Sequence, residues 1–343
     1  MLLNAEHEHR DLVALARRAE ELGIDGLWYA DERFYREVYT GLAACAIATS
    51  RIRLGPGVTD PYTRHPALTA LAIASLDELS HGRAVLGYGA GVSGFSNMGI
   101  DRKRPAMALR DGILIIRGLL AGGQFTHEGE VLSLRNATIE FPTRSDLPIA
   151  VAANSPHTLA LAGELGDAVI ISSCASRLVL ERHLDDLGRG RRRANRRFGP
   201  RIVARLNVSI SSDRAAAMRQ AKILLARHLW MQYPNIAYLP TCGLQLPDDL
   251  DELLRNAGPF QRTWDFAVFR PFVDRIPDEL VFPVALAGSP DEVADQVRAV
   301  IDNGVDEIMA YLLVPEGESF ISVLTHYAQA VRARPTDSRA MRS

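Results

Sequence analysis

Asp31 and Glu32 stand side by side in the segment WYADERF, with Arg33 and Arg36 close behind. Two carboxyl groups at the end of a strand can supply a general acid and a hydrogen-bonding group. The same pair would also be explained by ion pairs to Arg33, Arg36 or Arg64. Further on, Ala153-Asn154-Ser155-Pro156-His157-Thr158 leads into a helix, with Ser155 at the N-cap, Pro156 first and Thr158 third. Free backbone N–H groups and two hydroxyls at such a point suit a phosphate, and they equally suit a plain cap. Gly89-Ala90-Gly91-Val92-Ser93-Gly94 matches the dinucleotide pattern GxGxxG, with Asp111 about twenty residues on. In a barrel, the same glycines would let a flat ring pass close to the backbone. His65 before Pro66 reads as a helix cap. His7 and His9 share a segment, but no Cys, His or carboxylate set has metal-ligand spacing.

These residues hang on an alternation of short β-rich runs with amphipathic segments. Leu12, Leu15, Ala16, Ala19 and Leu22 fall at helical spacing, and Gly23 ends that helix. Strands are expected at 26–30, 52–58, 83–91, 148–152, 167–172, 201–211 and 305–314. Helices are expected between them, and Asp213 and Ser289 cap two of these. Residues 125–141 alternate like a β-hairpin turning at Glu128-Gly129. Single-order alternation of strand and helix is the mark of parallel βαβ units, and the chain reads as a (β/α)8 TIM barrel of the α/β class. Only Met1–Ala5 remains for the first strand, so that strand is short or missing. One domain over 1–334 is expected, with a helical insertion at about 213–287 and a frayed tail at 335–343. A dinucleotide-binding doubly wound fold is the competing reading, because a strand precedes the glycine motif.

Composition narrows the partners. The chain has 343 residues, 47% of them hydrophobic, with 39 Lys+Arg against 41 Asp+Glu and a net charge of −2. Near-neutrality gives no global attraction for nucleic acid or anionic lipid. The run Arg189–Arg197 (RGRRRANRR) is basic but lacks interleaved aromatics and sits at a helix end, where cations complement the dipole. No apolar run is long enough to span a membrane, and the polar N-terminus is unlike a secretory signal. Cys45, Cys174 and Cys242 are scattered, which makes a reducing cytoplasm the expected setting.

The chain resembles the luciferase-like family of flavin- and deazaflavin-dependent oxidoreductases, and within it the methylenetetrahydromethanopterin reductases. The segments that carry the resemblance are ELGIDGLWYADERFYREVY, RIRLGPGVTDPYTRHPALTA, GRAVLGYGAG, LPIAVAANSPHTLALAGELGDAVIIS and AGSPDEVADQVRAVIDNGVDEIMAYLL. It runs from about Arg10 to Ser176 and again from Ala287 to Leu313. The resemblance implies a reduced cofactor ring lying at the end of the third strand, behind which Gly57-Val58 forms a non-prolyl cis bulge. Asp31 and Thr59 would hydrogen-bond near the ring, and Val58 would buttress one face. Gly57 would sit beside it, while Ala90 and Gly91 would line the side-chain path. Ala153, Asn154, Ser155 and Thr158 would meet the phosphate. The cofactor implied is coenzyme F420, with FMN as the alternative.

Hydride transfer asks the protein for position, ring electronics and water exclusion. In the relatives the proton donor is a glutamate late in the first strand. Here that stretch is Leu2-Leu3-Asn4, with Glu6 out of place, so Asp31, Glu32 and Asp60 are the substitutes to test. The reading is an F420-dependent oxidoreductase acting on a small organic substrate of C=C, C=N or carbinol type. It would work as a homodimer, with a separate flavin or F420 reductase supplying reduced cofactor. An FMN-dependent monooxygenase is the alternative, and a non-catalytic binding barrel is the alternative of another class. Trp230, Tyr233, Tyr238, Trp264 and Phe266 would cover the pocket or form local core. Arg177 would touch an anionic tail or stand exposed.

Overall fold

The computed structural model describes residues 1–91, 94–260 and 265–332. The stretch expected to fray, 335–343, lies outside them. The chain divides into two compact units, Met1–Ile171 with His183–Val203, and Ser172–Arg182 with the residues from Ala204 on.

The first unit holds strands β1 (Leu2–Leu3), β2 (Gly26–Tyr29), β3 (Arg53–Pro56), β4 (Leu86–Tyr88), β5 (Phe125–Glu128), β6 (Ser133–Ala137), β7 (Ile149–Ala152) and β8 (Ala168–Ser172). β1 pairs with β2 through Leu2 and Trp28, and β2 with β3 through Gly26 and Arg53, all parallel. Bridges from Leu54 to Ala84 and from Thr59 to Tyr88 carry the order on to β4. β4 then pairs with β7, and β7 with β8. Six strands therefore run parallel in the order β1-β2-β3-β4-β7-β8. Every residue of β2 is buried, as parallel strands covered on both faces require. The short first strand is as expected from the sequence.

Helices return the chain between strands. Leu12, Leu15, Ala16 and Ala19 form the buried stripe of His9–Glu21, and Gly23 leaves it at φ 73°. His65 Nδ1 accepts from Ala67 N at 3.2 Å, so this histidine is the cap of Pro66–Leu79. β5 and β6 form the expected antiparallel hairpin, whose turn is held by Asp111 accepting from Val131 N (2.7 Å) and Leu132 N (3.0 Å). Part of the basic run is structural. Arg196 Nη1 donates to the carbonyls of Gly163 (3.3 Å), Glu164 (3.4 Å) and Gly166 (2.6 Å) at the C-terminal end of helix Pro156–Leu165.

The second unit takes most of β9 (Arg201–Ile210), then β10 (Ala285–Gly288) and β11 (Glu307–Leu313). β11 lies beside β9, and β10 pairs with the C-terminal half of β9 from Ala285–Asn207 to Gly288–Ile210. Between β9 and β10 the chain is helical, with Arg214–Gln232 capped by Asp213 as its longest piece. Trp230 packs against Phe260, Phe269 and Phe272, with ring centroids 5.5, 6.2 and 5.7 Å away, and its Nε1 donates to Gly258 O at 2.7 Å. Tyr238 is buried and donates to Leu280 O. These aromatics are local core; Trp264 lies outside the described residues.

Eight parallel strands each leading to a helix make the (β/α)8 class, with β10 as a ninth strand the sequence did not announce. Ala285–Gly288 is too short and too small-chained to carry a strand signal, and it exists because β9 runs long enough to pair with it. The dinucleotide reading fails. The glycine motif follows the fourth parallel strand, and the next α-helix begins only at Pro105, after a 3-10 turn at Ser96–Met98. Val92 and Ser93 of the motif lie outside the described residues, and among the described residues no α-helix starts between β4 and Pro105 to receive a pyrophosphate.

Candidate active site at the strand ends of the first unit

The strand ends of β3 and β4 are built around one valine. The peptide between Gly57 and Val58 is cis, at the position the resemblance implied. Gly57 N donates to Tyr29 O (2.7 Å), Thr59 N to Gly87 O (3.1 Å) and Gly89 N to Thr59 O (2.9 Å), so the turn is zipped to both neighbours. A Cβ on Gly87 would lie 2.1 Å from Pro56 O and 3.0 Å from Val58 Cγ1. One on Gly89 would lie 2.9 Å from Val58 Cγ2 and 3.0 Å from Ala152 Cβ. Gly89, though not Gly87, was among the glycines expected to let a ring pass. In this unit the room they leave is taken by Val58 and Ala152, which holds the valine fixed as a buttress.

Thr59 is fully buried, and its Oγ1 has no hydrogen-bond partner. An unmet buried hydroxyl costs about 1–3 kcal/mol, so it is a natural place for a bound group to supply a partner. A cofactor ring with hydrogen-bonding edges fits that requirement at the position expected for it.

Asp31 and Asp60 are brought together through Arg33. Its Nη1 donates to Asp31 O at 2.9 Å, and its Nη2 pairs with the Asp60 carboxylate. The guanidinium also lies 4.8 Å from the centroid of the Phe95 ring, which meets Tyr62 edge-on at 5.7 Å. Gly91 has φ 62°, and a Cβ there would meet Phe95 Cζ at 2.6 Å and Arg33 Nη2 at 3.0 Å. Arg102 Nη1 donates to Gly91 O, and Tyr62 donates to Lys103 O at 2.7 Å. One arginine thus ties together the loops that follow β2, β3 and β4. Burial lowers its pKa, while Asp31 and Glu32 oppose that shift.

Asp60 is fully buried and saturated with donors. It accepts from Tyr62 N (2.7 Å), Thr63 N (2.9 Å) and Thr63 Oγ1 (2.8 Å) besides Arg33. Such a shell favours the charged form, which suits holding a loop better than delivering a proton. The ion pairs considered for Asp31 are not formed. Arg64 pairs with Glu37 at 2.7 Å, and Arg36 Nη1 donates to Glu6 O at 2.6 Å. No described residue pairs with the Asp31 carboxylate. Asn4 directly follows β1, and Glu6 is exposed.

At the end of β7, Ser155 and Thr158 form a complete capping box. Ser155 N donates to Thr158 Oγ1 (3.2 Å), Thr158 N to Ser155 Oγ (3.3 Å), and the hydroxyls lie 2.9 Å apart. Pro156 has no N–H, so His157 N is what this first turn leaves for an anion, together with the exposed hydroxyl of Ser155. The cradle is narrower than the sequence suggested. Ala153 is buried and donates its N–H to Ile170 O, and Asn154 is exposed beside it.

Other candidates fall away. Arg177 is exposed and paired with Glu181 at 2.6 Å. Cys45 and Cys174 are buried, which pushes each thiol up to about 12. No group of His, Cys, Asp and Glu among the described residues could hold a metal, and no described helix is long and apolar enough to cross a membrane. The central role of Arg33 was not foreseen. Its one sequence signal is an arginine four residues past a strand end, and its partner, Asp60, is distant in sequence.

The first unit thus carries parallel strands in one continuous order, with a buttressed bulge and a buried, unpartnered hydroxyl at their ends. The chain belongs to the luciferase-like monooxygenase family, whose sequence profile matches residues 2–307. It is 32% identical over 305 residues to a 5,10-methylenetetrahydromethanopterin reductase of Archaeoglobus fulgidus, covering 88% of this chain and 90% of that protein. It is 33% identical over 289 residues to an F420-dependent glucose-6-phosphate dehydrogenase of Beutenbergia cavernae, covering 79% and 82%. Among solved structures it is similar to the coenzyme F420-dependent tetrahydromethanopterin reductase of Methanopyrus kandleri. There the TM-score is 0.82 at 26% identity, over 97% of both chains.

Proposed function

We propose that the chain is an F420-dependent oxidoreductase that moves a hydride between the deazaflavin and a small organic substrate with a C=C, C=N or carbinol-type centre. The observation that carries this reading is the similarity, over most of the chain, to an F420-dependent tetrahydromethanopterin reductase and an F420-dependent glucose-6-phosphate dehydrogenase. The buried, unpartnered Thr59 hydroxyl supports it from the side of the site.

The deazaflavin, when bound, supplies two-electron hydride chemistry. The protein's part is positional. Val58, fixed between Gly87, Gly89 and Ala152, is the rigid surface behind the ring. Thr59 and Asp31 are the hydrogen-bonding groups at its edge. Ala90 and Gly91 border the side-chain path, and Asn154, Ser155 and the His157 N–H meet the phosphate. Arg33 and Asp60 are positioning residues that hold the three loops. Asp31 and Glu32 are the groups proposed to deliver a proton to the product. The working form is proposed to be a homodimer in the cytoplasm, supplied with reduced cofactor by a separate reductase.

Titration of the purified protein with F420 and with FMN tests the reading. Saturable F420 binding, with little FMN binding, is expected. FMN binding with oxygen consumption would make the chain a monooxygenase instead. Failure to bind either would make it a non-catalytic barrel.

A further inference from the structure

The helices that follow β2 and β3 share an outer face with almost no charge. The first, Val38–Ala48 (VYTGLAACAIA), has no charged residue, and the second, Pro66–Leu79, has only Asp77 and Glu78 near its end. The two pack side by side. Ile47 is 76% exposed, Leu68 55%, Leu71 43% and Leu79 41%. Leu68, Leu71, Ala72 and Leu79 follow one another at helical spacing, so they form one outward stripe, and Ala44 and Ile47 form its neighbour. By contrast, the preceding helix, His9–Glu21, carries three arginines and three acids. A helix without a polar face is ordinarily covered.

The size of the face fits a second copy of this chain. Two adjacent helices of 11 and 14 residues present a surface about 20 Å long and about 20 Å wide. The four large side chains leave on the order of 400 Å² of apolar surface there, as much as the largest patch on an ordinary monomer. With the small side chains between them, the face reaches towards the roughly 800 Å² that each partner of a stable dimer covers. A nearly uncharged face can meet itself about a two-fold axis without setting like charges together. Ala44 and Ala72 allow the helices to approach closely.

Both helices start where the site loops end. Val38 follows the loop that carries Asp31 and Arg33, and Pro66 follows the loop that carries Val58, Thr59 and Asp60. Their N-terminal ends are tied together. Glu37 accepts from Thr40 N at 2.6 Å and pairs with Arg64 at 2.7 Å, and the Arg64 guanidinium lies 4.9 Å from the Tyr39 ring centroid. We infer that this face seats the same face of a second copy, and that the contact holds the two loops in the form that takes the cofactor. The second half of the inference rests on the oxidoreductase reading. A cofactor that needs the loops in one form then favours the dimer, and the dimer favours the cofactor by the same factor.

Sedimentation velocity on the full chain, over a range of concentrations and with and without F420, tests this. A dimer is expected, tightened by F420. Ile47→Glu combined with Leu71→Glu sets acids into the face at exposed positions and should raise the dimer dissociation constant about tenfold or more. Phe198→Glu, at a residue 71% exposed on the loop before β9, should leave it unchanged. If the double variant does not fold, Leu68→Lys alone is measured instead and should weaken the dimer several-fold. The variant that folds should also bind F420 several-fold more weakly. A wild-type chain that stays monomeric, or a dimer undiminished in that variant, would overturn the interface. Unchanged F420 affinity in that variant would overturn the coupling. A wild-type chain that dimerises through this face yet binds no F420 would keep the interface, while the coupling falls with the oxidoreductase reading.

Discussion

Arg33 and Asp60 form a buried ion pair between the loop that follows β2 and the loop that follows β3. The remaining oxygen capacity of Asp60 goes to Tyr62 N, Thr63 N and Thr63 Oγ1. Removing one partner leaves an uncompensated buried charge, which costs about 3–5 kcal/mol. Arg33→Met should therefore lower stability to urea by about that much. If Asp60 only positions the loop, Asp60→Asn should weaken F420 binding and leave the shape of the pH–rate profile unchanged. Loss of one limb of that profile would make Asp60 a proton donor after all.

Gly89→Ala and Gly87→Ala should differ. The first brings a methyl against two side chains, Val58 and Ala152, which can give way. The second drives it to 2.1 Å from the backbone carbonyl of Pro56, which cannot. Overpacking costs about 1–3 kcal/mol, so Gly89→Ala is expected in that range and Gly87→Ala at or above its top. Val58→Ala should rescue part of the Gly89→Ala loss in a double-mutant cycle, measured by denaturation. Strict additivity would mean that the two residues do not share the space.

Ser155 can be separated into cap and ligand. Ser155→Ala should cost about 1 kcal/mol of stability, the usual loss for an N-cap. It should also weaken F420 binding by about 1 kcal/mol if its hydroxyl meets the phosphate. Ser155→Asp keeps a good cap but sets a negative charge against an anion. Stability should hold while F420 affinity falls. Affinity unchanged in both variants would return Ser155 to capping alone.

Glu20 gives the protein an acid limb. Burial tends to raise its pKa, but N–H donors from Ile52, Arg51 and Ser50 outweigh this and hold it at about 2 instead of 4.5. A depressed carboxylate contributes stability that is complete above its unfolded value and lost as pH falls towards its folded value. Between about pH 4.5 and 2, Glu20→Gln should flatten the loss of stability, by on the order of 1 kcal/mol given the exposure of the site. Denaturation midpoints of the two proteins across that interval would show it. Parallel curves would remove Glu20 from the account.

The sequence by itself determined whatever depends on near neighbours along the chain. The bulge at Gly57-Val58 was implied by the family resemblance, whereas apolar spacing marked the helix His9–Glu21, and Ser-Pro-x-Thr and Ser-Pro-x-Glu marked two capped helix starts. These are local preferences of the backbone and its side chains, and they need no partner from elsewhere. The tertiary structure decided what distant segments do to one another. It chose Asp60 over Asp31 as the partner of Arg33 and gave the space above Gly89 to Val58. It built β10 from four residues that signal nothing alone, and laid the guanidinium of Arg205 over Tyr311. Ion pairing, close packing and desolvation depend on separation in space, and that separation is settled only when all the strands are in register.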